Sequence, residues 1–346
     1  MKQFRGMTSI PPPCCSVVVT MFAKSLSWLS LSLILLTASA VPALADTAAF
    51  YKFSKNHIAP LVALEEVAKL ADQKNRPLIA EPELEIFKRI AAGHPEQCDV
   101  KDTLIVASGI TDPQKRLKYA EKIDAIANRA GQAISSATTL EEKAKALAKY
   151  LYKHPLHGGF KTGQVNMALL LDKGTFNCVS SAILYSVVGL QLGIKTRAQE
   201  IPQHVFLQMG DLCIEPTGGF AQSTERHQKI LDEQWAEADS TDPLIYGDKH
   251  YRSTNRMGLI GAIYYDRSNN RKKFEDKTAD ALKACCLCPT NTLYADGVGI
   301  KLHNWVLDAV NHKDYAKAKK IVKIAGQLFG DTVSTKFLKM IPKSSR

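Results

Sequence analysis

The sequence lacks the features of a disordered chain or of a protein with several membrane spans. Of its 346 residues, 45% are hydrophobic and 23% are charged, the balance of an ordinary folded protein. Only one uncharged apolar run, residues 25–45, approaches the length of a bilayer-spanning helix. The length leaves room for one large domain or for two to three smaller ones.

Nucleic-acid-binding motifs and cofactor-binding motifs are also absent, although the chain is basic. The formal net charge is +11 at pH 7. Lysine and arginine are interspersed with aspartate and glutamate along apparent helices, a pattern typical of a solvated helix face. We therefore expect no nucleic-acid partner and no cofactor. The basic surface does favour transient association with anionic components of a cell envelope.

The apolar run at 25–45 predicts an export signal. It follows a basic residue and ends in the small-x-small triplet Ala43-Leu44-Ala45. We expect cleavage before Asp46 and a periplasmic or secreted protein, with Met21 as an alternative start of translation. An uncleaved anchor is the other interpretation, because a run of this length just spans a bilayer.

Hydrophobic spacing divides the rest of the chain into three regions. Residues 46–136 show helical spacing, and Asp112-Pro113 marks one helix start. Residues 137–250 begin with a capping box from Thr139 to Glu142 and later change to one apolar helix followed by short strands. A helix followed by antiparallel strands predicts an α+β core.

The third region, residues 251–346, returns to helices. Two helical hairpins are expected, from 257–267 with 274–286 and from 299–310 with 315–329. These hairpins resemble degenerate tetratricopeptide units, although the full repeat pattern is not met. Two units are too few to form a stable stack alone, so we expect them to pack on the core. Their surface is a candidate contact for a protein partner.

Cys178 differs from the other cysteines because it stands at a predicted helix start. Asn177 is a natural N-cap, and the apolar helix that follows directs its first backbone amides at the sulfur. A helix N-terminus and a nearby imidazolium both favour the thiolate, the form that attacks an acyl carbon. The sequence thus predicts Cys178 as a nucleophile. Its own amide is a candidate oxyanion contact, with Gln164 and Asn166 as candidates for a second donor.

Residues 204–215 predict an antiparallel hairpin with a two-residue turn at 210–211. Symmetric pairing about this turn places Glu215 opposite Phe206, so His204 and Glu215 are diagonal neighbours on one face. Glu215 could then orient the imidazole and stabilise the imidazolium. The hairpin therefore predicts His204 as the base and Glu215 as the acidic member of a catalytic triad.

Several segments around these residues together resemble the bacterial transglutaminase-like superfamily: 174–185, 192–194, 201–206 and 214–219. In that family a cysteine at a helix start, a histidine on the next strand and an acidic residue on the following strand form a papain-like triad. The resemblance implies this role for Cys178, His204 and Glu215, with a papain-like fold and a protein or peptide substrate.

The chain departs from the family pattern at two positions. The residue before the histidine is often glycine in the family but is Gln203 here. The acidic residue is commonly aspartate but is Glu215 here. Either change points to altered substrate access or to lost activity.

Other interpretations of the thiols stay open. An exported chain permits disulfides, and Cys213 lies on the same hairpin face as Glu215, so a disulfide from Cys178 to Cys213 is an alternative to a free thiol. Such a bond would inactivate Cys178 as a nucleophile. Three cysteines and a histidine lie close in the C-terminal region: Cys285, Cys286, Cys288 and His303. Adjacent cysteines lack the two-residue spacer that is usual between the ligands of a metal site, so we interpret them as core thiols. We expect no metal.

Two functions compete on this reading. The first is an exported cysteine enzyme that transfers or hydrolyses an acyl group at an amide or peptide bond. The second is a catalytically inactive transglutaminase-like fold that binds a protein partner through its C-terminal helices, because a fold alone does not establish a function.

Overall fold

A computed structural model describes residues 59–71, 77–201, 204–237 and 252–345. Among these residues there are thirteen α-helices and one five-stranded antiparallel sheet. The predicted α+β class is therefore confirmed. No described helix has both the length and the apolar character needed to cross a bilayer.

Some sequence predictions lie outside the described residues. They are the export signal at 25–45, its cleavage before Asp46, the alternative start at Met21, and the departure from the family pattern at Gln203. All of them stay predictions.

Seven of the described α-helices precede the sheet. They are α1 (Ala59–Leu70), α2 (Glu81–Ala91), α3 (Val100–Ala107), α4 (Pro113–Ala133), α5 (Leu140–Lys153), α6 (Met167–Lys173) and α7 (Cys178–Gln191). The two predicted helix starts are confirmed. Asp112 accepts a hydrogen bond from the Lys115 amide at the start of α4, and Thr139 forms a capping box with Glu142 at the start of α5.

The sheet has the strand order β4-β3-β2-β1-β5, and every neighbouring pair is antiparallel. Its strands are β1 (Arg197–Ile201), β2 (His204–Met209), β3 (Leu212–Glu215), β4 (Phe220–Ser223) and β5 (Arg252–Thr254). The sequence predicted the hairpin of β2 and β3. The short edge strands β4 and β5 carry little pattern of their own and depend on their partners for pairing.

Helix α8 (Thr224–Glu237) follows β4, and five further helices follow β5. These are α9 (Arg256–Asn270), α10 (Phe274–Leu287), α11 (Thr292–Asn311), α12 (Tyr315–Phe329) and α13 (Asp331–Leu338). Helices α9 and α10 pack against each other, as do α11 and α12. The expected helical hairpins are thus present, whereas their tetratricopeptide character stays a prediction.

One hydrophobic core joins the three regions that the sequence separated. It includes Leu64 from α1, Ile183 from α7, Leu207 from β2 and Trp305 from α11, all almost fully buried. A smaller core covers the opposite face of the sheet: Ile201, Phe206, Cys213 and Leu231. Because Leu231 lies on α8, this helix covers the face of the sheet that carries His204 and Glu215.

A buried polar network also ties α2 to the C-terminal helices. Glu83 of α2 accepts hydrogen bonds from Lys283 Nζ at 2.7 Å and from Tyr264 Oη at 3.0 Å. Beside it, Arg267 of α9 makes a two-pronged ion pair with Asp280 of α10 at 2.7 and 2.9 Å. These buried charges are satisfied only when α2, α9 and α10 are assembled.

Candidate active site

Cys178 occupies the first turn of α7, as the sequence predicted. Asn177 Oδ1 accepts a hydrogen bond from the Ser180 amide at 2.9 Å, and Ser180 Oγ accepts one from the Asn177 amide at 3.0 Å. Both capping residues are buried, whereas Cys178 is partly exposed. The thiol therefore stands at the positive end of the helix with an open side.

The segment before the nucleophile is held by a glycine-bearing loop. Gly158 N donates to Gly174 O at 3.0 Å, and Lys161 N donates to Phe176 O at 2.7 Å. A Cβ at residue 158 would lie 2.2 Å from the carbonyl oxygen of Lys173, so only glycine allows this approach. The loop thus fixes the backbone that leads into Cys178.

The hairpin has the predicted register. Met209 pairs with Leu212 and Gln208 pairs with Cys213, which leaves His204 and Glu215 on one face. His204 Nε2 lies 3.0 Å from each carboxylate oxygen of Glu215. The diagonal pair predicted from the turn is therefore in hydrogen-bond contact.

His204 also faces the cysteine, because the Cys178 thiol is one of the groups that act on the imidazole. Burial alone would lower the pKa of His204. The charge of Glu215 and the hydrogen bonds to Cys178 and Glu215 outweigh burial, so this pKa lies well above its ordinary value. The structure thus brings together all three residues that the sequence singled out.

Glu215 is enclosed, with 8% of its side chain exposed. Besides His204, it faces Thr217, whose Oγ1 donates to Oε2 at 3.5 Å. An enclosed carboxylate interacts with its neighbours through a low effective dielectric, which strengthens its effect on the imidazole.

Residues 117–252 match the family model of the transglutaminase-like superfamily. The match begins within α4, ends at the first residue of β5 and contains Cys178, His204 and Glu215. The resemblance found in the sequence is therefore confirmed for this region. The tetratricopeptide resemblance of the C-terminal helices is not. Comparison with curated proteins and with solved structures gives no match.

A second histidine lies beside Glu215, and sequence reasoning missed it. His227 of α8 is buried, and its Nε2 lies 3.6 Å from Glu215 Oε1. Burial lowers the pKa of His227, and the charge of Glu215 only partly offsets this. No motif surrounds this histidine, and the sequence did not predict α8.

Asp266 of α9 was missed as well, although it touches the nucleophile's N-cap. Asn177 Nδ2 donates to Asp266 Oδ2 at 3.4 Å across 89 residues of sequence. Burial raises the pKa of Asp266 to about 6, against the lowering effect of the hydrogen bond from Asn177. Only the packing of α9 against α7 creates this contact.

The side chains of both candidates for a second oxyanion donor form hydrogen bonds with the backbone. Gln164 Nε2 donates to the carbonyl oxygens of Asn166 and Thr175, which uses both of its N–H groups. Asn166 caps α6 through its Oδ1 and directs its Nδ2 to Ser108 O. Both side chains support the backbone around the site.

The other cysteines are not members of the triad. All six cysteines among the described residues are free, so the alternative bond from Cys178 to Cys213 is not formed. The Cys213 thiol instead contacts Thr224 Oγ1 at 3.7 Å, and burial raises its pKa. His303, which the sequence placed near the C-terminal thiols, packs against the ring of Phe337.

Replacing Asp266 with asparagine is expected to stabilise the protein most at neutral pH. The folded state keeps this carboxyl protonated up to about pH 6, whereas an unfolded chain ionises it near about pH 3.9, so the stability that this group contributes falls as pH rises between these values. Asparagine does not ionise, so the variant avoids this loss of stability. We expect a gain of up to about 3 kcal/mol at about pH 7.5 and about 1 kcal/mol at about pH 4.5.

Urea unfolding of both proteins at the two pH values measures this difference. Asp308→Asn, at a partly exposed position of α11, is the control and should show no such dependence. Equal gains for Asp266→Asn at both pH values would contradict the assigned cause.

Proposed function

We propose that the protein is an exported cysteine enzyme that transfers or hydrolyses an acyl group at an amide or peptide bond. The observation that carries the proposal is the position of His204, which is in hydrogen-bond contact with the Glu215 carboxylate and lies beside the Cys178 thiol. The hydrophobic run at 25–45 supports export. The substrate would be a protein or peptide.

The first chemical step follows from this arrangement. Glu215 occupies Nε2 of His204, so Nδ1 is the ring nitrogen that remains for the thiol. Transfer of the thiol proton to Nδ1 gives a thiolate beside an imidazolium. The raised pKa of His204 supports this ion pair, which persists until the pH rises through that pKa.

The thiolate attacks the carbonyl carbon of the substrate, and the C=O bond electrons move to the oxygen. The amide of Cys178 belongs to the first turn of α7, whose N–H groups have no partner within the helix, so it is available to that oxyanion. Collapse of the intermediate breaks the C–N bond, and His204 returns its proton to the leaving amine. Water or a second amine then attacks the thioester carbon and gives a proton to His204, and the C–S bond breaks, which releases the acid or the new amide and restores the Cys178 thiolate.

An activated ester tests this function without knowledge of the substrate. With p-nitrophenyl acetate, we expect a burst of p-nitrophenol and one acetyl group on Cys178 after acid quenching. Cys178→Ser should abolish the burst. Cys213→Ser removes a buried thiol on the same hairpin and should retain it.

Absence of acetylation at Cys178 in the native protein would contradict the proposed enzyme. The remaining interpretation would then be the inactive fold that binds a partner through its C-terminal helices.

A further inference from the structure

We propose that His227 is a positioning residue for the triad, which holds Glu215 in place for His204 while adding no positive charge of its own. This inference rests on the proposed function, because it assigns His227 a part in activating Cys178. It stands on the geometry around one carboxylate oxygen.

Two histidines converge on that oxygen from different elements. Glu215 Oε1 lies 3.0 Å from His204 Nε2 and 3.6 Å from His227 Nε2. The first distance is a hydrogen bond, whereas the second is slightly too long for one. The carboxylate is therefore bracketed by β2 on one side and by α8 on the other.

The tautomer of His227 follows from its other ring nitrogen. Gln222 Nε2 lies 3.2 Å from His227 Nδ1, and an amide N–H donates there, so Nδ1 is the acceptor. In a neutral imidazole the proton then resides on Nε2. That N–H is the one beside Glu215, where it stabilises the carboxylate as a dipole.

The ring has little freedom to turn elsewhere. It packs on Phe206 with ring centroids 4.3 Å apart, and Phe206 in turn stacks with His204 at 6.3 Å. Only 4% of the His227 side chain is exposed, and Nε2 has no hydrogen-bond partner among the described residues. A buried N–H without a partner costs free energy. An interaction with Glu215 explains why a histidine occupies this position.

The charged surroundings favour a neutral His227. Glu215 on β3 and His204 on β2 face it, and Cys213 on β3 lies on the same face of the sheet. Burial and the nearby imidazolium of His204 both lower the pKa of His227, and only Glu215 raises it. Its neighbours on α8, Glu225 and Arg226, are exposed. The negative charge of Glu215 therefore stays available to His204.

The test compares His227→Leu with His227→Gln, which keeps a donor near the position of Nε2. The readouts are the pH profile of Cys178 alkylation by iodoacetamide and the titration of His204 by NMR. For His227→Leu we expect the alkylation midpoint to rise, and the His204 midpoint to fall, by about half to one pH unit. His227→Gln should restore both midpoints to within experimental error.

A folded His227→Leu with both midpoints unchanged would overturn the proposal, as would shifts of equal size in His227→Gln. The His204 titration does not depend on the reactivity of Cys178. If native Cys178 is not acetylated but His227→Leu still lowers the His204 midpoint, the enzymatic function fails while the positioning of Glu215 stands.

Discussion

Replacing His204 with alanine is expected to turn Cys178 into an ordinary thiol. Without the imidazolium, the midpoint of the alkylation profile should move to about pH 8.5, the value of a free thiol. At about pH 6 only about 0.3% of such a thiol is ionised. The alkylation rate at this pH should therefore fall, but by less than the ionised fraction does, because the thiolate of a less acidic thiol is the stronger nucleophile. We expect a fall of about tenfold. Iodoacetamide labelling followed by mass spectrometry measures it.

Glu215→Gln tests whether the carboxylate acts through the histidine. It should raise the alkylation midpoint by less than His204→Ala, and the double variant should match His204→Ala alone. Additive shifts would mean independent action and would break the triad. His312→Ala removes an exposed histidine at the end of α11 and should leave the profile unchanged.

The second large effect concerns stability, at the ion pair between α2 and α10. Lys283→Met leaves the Glu83 carboxylate buried and without its cation, while the side chains of both residues are at most 6% exposed in the native protein. Loss of one partner of such a pair costs about 3–5 kcal/mol, and we expect the free energy of unfolding to fall by that amount. Urea unfolding at neutral pH measures it.

Two further variants test whether the loss of stability comes from the unpaired charge and from its burial. Adding Glu83→Gln to Lys283→Met removes the stranded charge and should recover part of the loss, with Tyr264 still able to donate to residue 83. Lys145→Met breaks an exposed pair with Glu141 on α5 and should change stability little. A loss for Lys145→Met as large as that for Lys283→Met would show that burial is not the cause.

Predictions succeeded where the decisive contacts are close in sequence. The start of α7 depends on the exchange between Asn177 and Ser180, three residues apart. The hairpin register depends on a two-residue turn, and this turn alone places His204 and Glu215 on one face. The link from Cys178 to the hairpin came from the family resemblance, because no local pattern joins these segments.

Sequence spacing did not specify the hydrogen-bond partner where a side chain had a choice of several. Gln164 and Asn166 are amides beside the nucleophile, yet their hydrogen bonds go to the backbone. An amide satisfies whichever buried carbonyl folding brings close, and sequence spacing does not specify that carbonyl. His227 and Asp266 were missed for the converse reason, since their partners lie on elements that meet them only after folding.

The sequence by itself determined the α+β class, the helix start that carries Cys178, and the hairpin face that carries His204 and Glu215. These follow from capping, turn geometry and alternation along a strand, which act over a few residues. The tertiary structure alone decided that Glu215 lies between two histidines, that Asp266 reaches the N-cap of α7, and that Glu83 pairs with Lys283 across 200 residues. Burial sets the energies of these contacts, and burial exists only once distant elements have packed together.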